Sequence, residues 1–94
     1  MLTRIVKLTF APENIPTFEA LFETVKDKIA GFEGCLHLNL YQDKNNPQIF
    51  FTYSLWEGEN DLEKYRHSEL FKATWAKTKV LFSDKPEAWS LGLK

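Results

Sequence analysis

The sequence predicts one α+β domain whose elements follow the order βαββαβ. Three observations predict this class. Four segments alternate apolar with polar residues, other segments carry apolar residues at helical spacing, and turn-forming residues separate them. At 94 residues the chain has the length of a single domain, so we treat residues 1–94 as one unit with a small core.

The first strand and the first helix occupy the N-terminal third. Leu2–Phe10 alternates apolar and polar positions, which is the pattern of a strand. Two prolines then mark a break and a helix start, because proline is tolerated in the first helical turn. We expect Asn14 to cap this amphipathic helix and Gly31 to end it with a positive φ angle.

A β-hairpin is predicted next, from strands over Cys35–Gln42 and Gln48–Trp56 joined by a short turn rich in Asp, Asn and Pro. The first of these strands divides into two faces, with Leu36, Leu38 and Leu40 on one and Cys35, His37, Asn39 and Tyr41 on the other. In the second strand both faces carry bulky side chains. This predicts that the second strand is buried on both sides.

Two helical segments and a last strand complete the pattern. Gly58–Arg66 predicts a short helix, and a second helix begins at Ser68 and carries apolar residues as far as Phe82. Pro86 ends this region, and the alternation over Glu87–Leu93 predicts the fourth strand. Right-handed crossovers in this order give a ferredoxin-like sheet of four antiparallel strands, with the helices on one face.

The second face of that sheet has no cover within a single chain. Large apolar side chains such as Ile5, Tyr41, Phe50 or Trp56 fall on it in one register or the other. Because an uncovered sheet face is normally polar, a second copy of the sheet is the simplest cover, and we expect a homodimer. The alternative is a solvated aromatic surface on a monomer.

Charge and composition exclude several partners and sites. The 12 basic and 13 acidic residues are mixed along the chain, which argues against nucleic acid as a partner. No apolar stretch approaches the ~20 residues of a membrane span, so we expect a cytoplasmic protein. Cys35 is the only cysteine, which rules out an intrachain disulfide, and no cluster with metal-ligand spacing or glycine-rich phosphate loop occurs.

Several short motifs resemble the antibiotic biosynthesis monooxygenase (ABM) superfamily. The apolar strand Ile49–Glu57 ends in Trp-Glu and is followed by a short helix with Tyr65 and by a Ser-x-x-Phe step from Ser68 to Phe71. The turn Gly31–Cys35 before the second strand is similar too. The resemblance covers essentially the whole chain and implies a dimeric α+β barrel with a pocket in each subunit between sheet and helices.

The resemblance also implies two activities, which are cofactor-independent oxygenation of phenols or quinols and oxidative haem breakdown. In the first group an asparagine lies four residues before the tryptophan that Trp56 matches. This sequence has Thr52 at that position. The haem-degrading group needs an axial histidine where this chain has Trp75, which cannot ligate iron. The leading hypothesis is therefore an oxygenase without a cofactor, and the rival is a non-catalytic dimer that binds a small ligand or serves as an interaction module.

The candidate site residues form two groups, the catalytic candidates Tyr65, Thr52 and Trp56 and the substrate-binding candidates Phe71, Trp75 and His37. A phenol can orient a substrate oxygen and a hydroxyl can donate one hydrogen bond, while the rings would form the pocket wall. The structural alternatives are that the rings fill the core and that His37 is a structural histidine on the dimer side. If Thr52 and Trp56 face the pocket, the dimer side carries Ile49, Phe51, Tyr53 and Leu55 together with Ile5, His37 and Tyr41.

Overall fold

The computed structural model describes all 94 residues and has the predicted element order. The elements are β1 (Leu2–Thr9), a 3-10 turn (Pro12–Asn14), α1 (Ile15–Ala30), β2 (Cys35–Gln42), β3 (Ile49–Trp56), α2 (Glu59–Arg66), α3 (Glu69–Lys79) and β4 (Glu87–Leu91). All strand pairs are antiparallel and the strand order is β2-β3-β1-β4, so the predicted ferredoxin-like sheet is confirmed. None of the helices is both long and apolar enough to cross a lipid bilayer.

Two clusters of buried side chains lie between the sheet and the helices. The larger cluster is built on Phe10, whose ring stacks on Phe18 with the centroids 4.2 Å apart and meets Phe50 edge-on at 5.8 Å. The smaller cluster is built on Trp56, which is 1% exposed and packs with Leu2 and Leu62. Buried aromatic side chains of this size contribute much of the apolar area that stabilises a small domain.

A β-bulge at Leu36 changes the predicted faces of β2. Cys35 pairs with Trp56, and His37, two residues later, pairs with Leu55, which is adjacent to Trp56 in β3. Leu36 is therefore an extra residue without a partner. Directly paired residues share a face, so Cys35 lies on the helix side with Trp56, and the prediction that it faces the same way as His37 is wrong. Leu36 is 49% exposed instead of lying with the other leucines.

The predicted ends of α1 differ in detail from the structure. The Asn14 side chain does not cap the helix, and its amide instead donates to the carbonyl of Leu81 at 3.2 Å. Gly31 follows the last residue of α1 but has φ of −86°, so it does not adopt the expected positive angle. The positive φ belongs to Gly34, at 87°, which turns the chain into β2.

The C-terminal elements are shorter than predicted. Helix α3 ends at Lys79, which leaves Val80 71% exposed, while Phe82 lies beyond the helix and bridges to Phe10 at the end of β1. Strand β4 ends at Leu91, and Leu93 is fully exposed. The apolar residues after Lys79 continue the helical spacing, but Phe82 is extended and pairs with Phe10, so the helix does not include it.

The sheet face opposite the helices is covered by no part of the chain. Tyr53, Ile5 and Trp89 form one row across three neighbouring strands there, with Ile5 paired to both of the others. Trp89 is 42% exposed and Tyr41, on β2, is 55% exposed. This face therefore carries the alternate residues of β3, as the register with Thr52 and Trp56 on the helix side requires.

Gly34 fixes the approach of α2 to the sheet, and we predict that Gly34→Ala destabilises the fold. A methyl group at Gly34 would overlap the side chain of Asp61 in the first turn of α2, and the positive φ disfavours any residue with a Cβ. We expect a loss of about 1 to 3 kcal/mol in the free energy of unfolding, measured by urea denaturation. Gly92→Ala is the control, because its Cβ would meet nothing within 4 Å. Equal stability of the two variants would contradict this account.

Candidate functional site

A cavity of about 380 Å³ lies between the two buried clusters, with the sheet as its floor and the helices as its roof. The lining combines residues of all four strands, of the three α-helices and of the loop before β4: Arg4, Val6, Leu8, Phe18, Leu21, Phe22, Val25, Ile29, Leu38, Thr52, Ser54, Trp56, Leu62, Tyr65, Arg66, Phe71, Thr74, Trp75, Thr78, Pro86, Glu87 and Ala88. Most of these side chains are apolar. A mostly apolar cavity of this size with a few polar groups is typical of a small-molecule site.

The cavity exists because β3 has small side chains at its centre. The helix-facing positions of β3 are Phe50, Thr52, Ser54 and Trp56, so two large rings flank two small hydroxyl residues. The rings meet the roof at both ends, where Phe50 packs on Phe18 and Trp56 packs on Leu62. Thr52 and Ser54 are too short to reach the helices, and both line the cavity between the two large rings.

Four of the predicted site residues form one continuous aromatic wall along this cavity. Tyr65 stacks on Trp56 with the ring centroids 5.2 Å apart and meets Phe71 edge-on at 5.3 Å. Phe71 stacks in turn on Trp75, four residues later in α3, at 5.8 Å. Aromatic rings in such a series offer flat apolar surfaces against which the faces or edges of a planar ligand can pack.

Trp56 is held in place by its own polar group. Its indole Nε1 donates to the Ser54 hydroxyl at 3.0 Å, and that hydroxyl lies 3.5 Å from the carbonyl oxygen of Arg4. Since the indole has one N–H and Ser54 takes it, Trp56 has no further donor for a ligand. It contributes a rigid apolar surface.

Tyr65 brings a phenol to the same wall. Burial is the larger of two effects that raise the pKa of Tyr65 to about 12. The smaller effect is the charge of the nearby Cys35 thiolate. The phenol therefore stays protonated at neutral pH, where it can donate a hydrogen bond to a ligand oxygen but cannot act as a base. Thr52 places a second hydroxyl on the floor of the same cavity.

The structure does not bring His37 together with the other five candidates. His37 lies on the uncovered face of the sheet, paired with Leu55, and it is exposed. Its Nε2 contacts the side-chain oxygen of Asn39, and its ring meets the ring of Tyr53 edge-on at 6.0 Å. His37 is thus placed to act on that face of the sheet and not in the cavity.

Two arginines line the cavity that were not among the predicted site residues. Arg4 lies on β1 in register with Ser54 and donates to the Ser90 hydroxyl of β4 at 2.9 Å, and Arg66 is the last residue of α2. Burial lowers the pKa of Arg4, the charge of Arg66 lowers it further, and Glu63 opposes the shift. The available signal was the position of a charge between Leu2 and Val6, on the face of β1 that is otherwise apolar.

Neither Cys35 nor a metal-ligand cluster adds to the chemistry of the cavity. Cys35 is half-buried beside the smaller cluster, and burial raises the pKa of its thiol, which favours the protonated, less reactive form. The structure groups no three His, Cys, Asp or Glu side chains in a way that could hold a metal ion.

The raised pKa of Tyr65 predicts a loss of stability at high pH. The folded pKa of about 12 exceeds the unfolded value of 10.0, so the stability is fully present below pH 10 and is lost as the pH rises through 12. The difference corresponds to about 3 kcal/mol. Urea denaturation of the wild type and of Tyr65→Phe at pH 8 to 12 should show a steeper decline in the wild type than in the variant. Parallel curves would contradict the assignment.

A family model described as antibiotic biosynthesis monooxygenase matches residues 1–77 of the chain. No functionally curated protein matches it. The chain is similar to the crystal structure of a conserved protein from Methanosarcina mazei Go1, with TM-score 0.93, 24% identity, and coverage of 100% of this chain and 94% of that one.

Two other solved structures have the same fold. One is described as an antibiotic biosynthesis monooxygenase, with TM-score 0.94, 19% identity, and coverage of 100% of this chain and 99% of that one. The other is Rv0793 from Mycobacterium tuberculosis, with TM-score 0.91, 15% identity, and coverage of 99% and 94%. At these identities the likeness establishes the fold, while the match over residues 1–77 establishes the family. The chain belongs to the antibiotic biosynthesis monooxygenase family.

Proposed function

We propose that this protein is a monooxygenase that oxidises an electron-rich phenol or quinol with O₂, without a cofactor of its own. The observation that carries the proposal is the cavity of about 380 Å³, in which Tyr65, Trp56, Phe71 and Trp75 form an aromatic wall above the Thr52 hydroxyl. Membership of the monooxygenase family supports this proposal. A planar aromatic substrate fits such a cavity.

The chemistry needs no external reductant. In the simplest case a hydroquinone and O₂ give a hydroxyquinone and water, so one oxygen atom enters the ring and the other leaves as water. The quinol supplies two electrons on becoming a quinone, and the ring C–H supplies two more on becoming C–OH. An ionised quinol can pass an electron to O₂ directly, so the protein needs only to bind, desolvate and orient the two reactants.

The cavity residues have roles that fit this reaction. The protonated phenol of Tyr65 donates a hydrogen bond to a substrate oxygen, and the Thr52 hydroxyl can donate another from the floor. The positive charge of Arg4 and Arg66 favours the ionised form of a quinol in the same space. The rings of Phe71 and Trp75 exclude water beside the substrate.

A non-catalytic role is the second candidate. The Trp56 indole is already bonded to Ser54, Tyr65 cannot take up a proton, and Thr52 stands where the resemblance implies an asparagine. These features are sufficient to bind a small aromatic ligand and do not require that it reacts. The two functions differ in whether O₂ is consumed.

Oxygen uptake with a panel of substituted hydroquinones tests the proposed reaction. We expect turnover above the buffer rate, and at least about a tenfold loss of kcat/KM in Tyr65→Phe, because a hydrogen bond to developing charge is removed while the ring remains. Tyr41→Phe is the matched control, since it removes a phenol from an exposed residue on the other sheet face. No uptake above buffer with any quinol would leave the binding function as the better account.

We also propose that the protein is a homodimer, formed through the uncovered face of the sheet. That face carries a row of Tyr53, Ile5 and Trp89, together with the other alternate residues of β3. Trp89 and Leu91 are 42% and 43% exposed in the single chain, which is uncommon for apolar side chains that lie side by side on a sheet. A second sheet of the same kind would remove this apolar area from water.

The dimer is tested by replacing its central residue. Light scattering should give about twice the 11.0 kDa of one chain for the wild type, and Ile5→Glu should give a monomer because it places charges inside the interface. Ala20→Glu, on the exposed side of α1, is the control and should remain dimeric. A wild-type monomer at micromolar concentration would disprove the proposal.

A further inference from the structure

Two guanidinium groups face a cavity whose lining is otherwise mostly apolar. Arg4 reaches it from β1, next to the middle of the sheet, and Arg66 reaches it from the C-terminal end of α2. Arg66, Glu87 and Ala88 are exposed residues of the lining, so the cavity opens to solvent at the end where Arg66 lies. A charged group at that end would remain partly hydrated when bound.

Arg4 has no carboxylate partner. Its Nη1 donates to the neutral Ser90 hydroxyl at 2.9 Å, and no Asp or Glu oxygen lies within 4.0 Å of the guanidinium. One hydrogen bond leaves most of the guanidinium donors free. Arg4 is partly buried, and a guanidinium is suited to bind a planar anion such as a carboxylate in two parallel hydrogen bonds.

The carboxylates nearest to this group are engaged elsewhere. Glu63 is bonded to Arg66 at 3.0 Å and also lies 3.2 Å from His67. Glu87 is among the lining residues, but its carboxylate pairs with Lys7 at 3.6 Å, and Lys7 lies on the uncovered face of the sheet. Arg66 therefore has a carboxylate partner in Glu63, while Arg4 has no carboxylate within ion-pair distance and interacts with Glu63 only at longer range.

The electrostatic effects on Arg4 agree with this geometry. Burial has the largest effect and lowers the pKa of Arg4. The charge of Arg66 lowers it to a smaller extent, and the charge of Glu63 raises it. The two guanidinium groups are thus close enough to repel each other. A singly charged anion between them would relieve that repulsion and supply the missing partner.

We propose that the substrate or ligand of this cavity is an aromatic carboxylate, with its carboxylate held by Arg4 and Arg66 and its ring against the Tyr65, Phe71 and Trp75 wall. This inference rests on the proposed function, because it names the substrate class of the same cavity. A carboxylate is planar and matches the fork of a guanidinium, and its negative charge would give Arg4 the ion-pair partner that the chain does not place within 4.0 Å.

Binding of 2-naphthoate and of its neutral analogue 2-naphthamide, measured by isothermal titration calorimetry, tests the proposal. The two probes have the same ring and nearly the same shape, and they differ in charge and in one acceptor oxygen that the amide replaces with an NH2 donor. Wild-type protein should bind the acid at least about tenfold more tightly than the amide. Arg4→Gln should remove this preference while the affinity for the amide changes little.

Two further variants make the result specific. Arg66→Gln, on the exposed end of α2, should reduce the preference as well and does so without altering the sheet. Lys28→Gln is the control, since it removes one positive charge from the exposed side of α1, away from the cavity, and should leave the preference intact. Equal binding of acid and amide by the wild type, binding of neither probe, or a preference that persists in both arginine variants would overturn the inference.

Oxygen uptake separates this inference from the proposed function. The assay compares 2,5-dihydroxybenzoate with 2,5-dihydroxybenzamide, which are both hydroquinones. Uptake at equal kcat/KM for the two would support the oxygenase and overturn the carboxylate subsite. A charge-dependent preference in binding without uptake would support the subsite and contradict the oxygenase.

Discussion

The structure depends on β3 (Ile49–Trp56), which carries large side chains on both of its faces. It is an inner strand, paired with β1 on one side and with β2 on the other. Its helix-facing side chains anchor both buried clusters through Phe50 and Trp56. Its alternate side chains supply the middle of the uncovered face. Core, cavity and proposed dimer surface are therefore set by one eight-residue segment.

The cavity exists where the centre of β3 has small side chains, which make fewer apolar contacts with the helices than large ones would. Thr52 and Ser54 occupy positions where larger apolar side chains would join the two clusters into one. A domain of this size has little apolar area to spare. The rings at both ends offset the loss, since Trp56 is 1% and Phe50 2% exposed and both pack against neighbouring rings. Stability is thus concentrated at the two ends of the site, and the space between them remains free for a ligand.

The sequence predicted the fold and most of the aromatic wall because both depend on periodic patterns. Alternation identified the strands, and helical spacing placed Phe71 and Trp75 on one side of α3, where they stack. The bulge at Leu36 was not predictable in this way, since one extra residue shifts the pattern locally and leaves the sequence still alternating. Arg4 was not predicted as a site residue for another reason. A single charged residue among apolar neighbours on a strand does not by itself indicate a site, and its role depends on the cavity that it lines.

A strand that is apolar on both faces specifies its register weakly, because a slip by one residue would still bury large side chains on each side. The register of β3 must therefore be fixed at its ends. Before the strand, the Asp43 carboxylate accepts from the backbone N–H groups of Asn45 and Asn46, at 2.7 and 3.0 Å, which shapes the turn from β2. After the strand, the N–H of Glu57 donates to the carbonyl of Gly34 at 2.9 Å. These polar contacts at both ends of β3 favour the register that the buried Phe50 and Trp56 require, in which Thr52 and Ser54 face the helices.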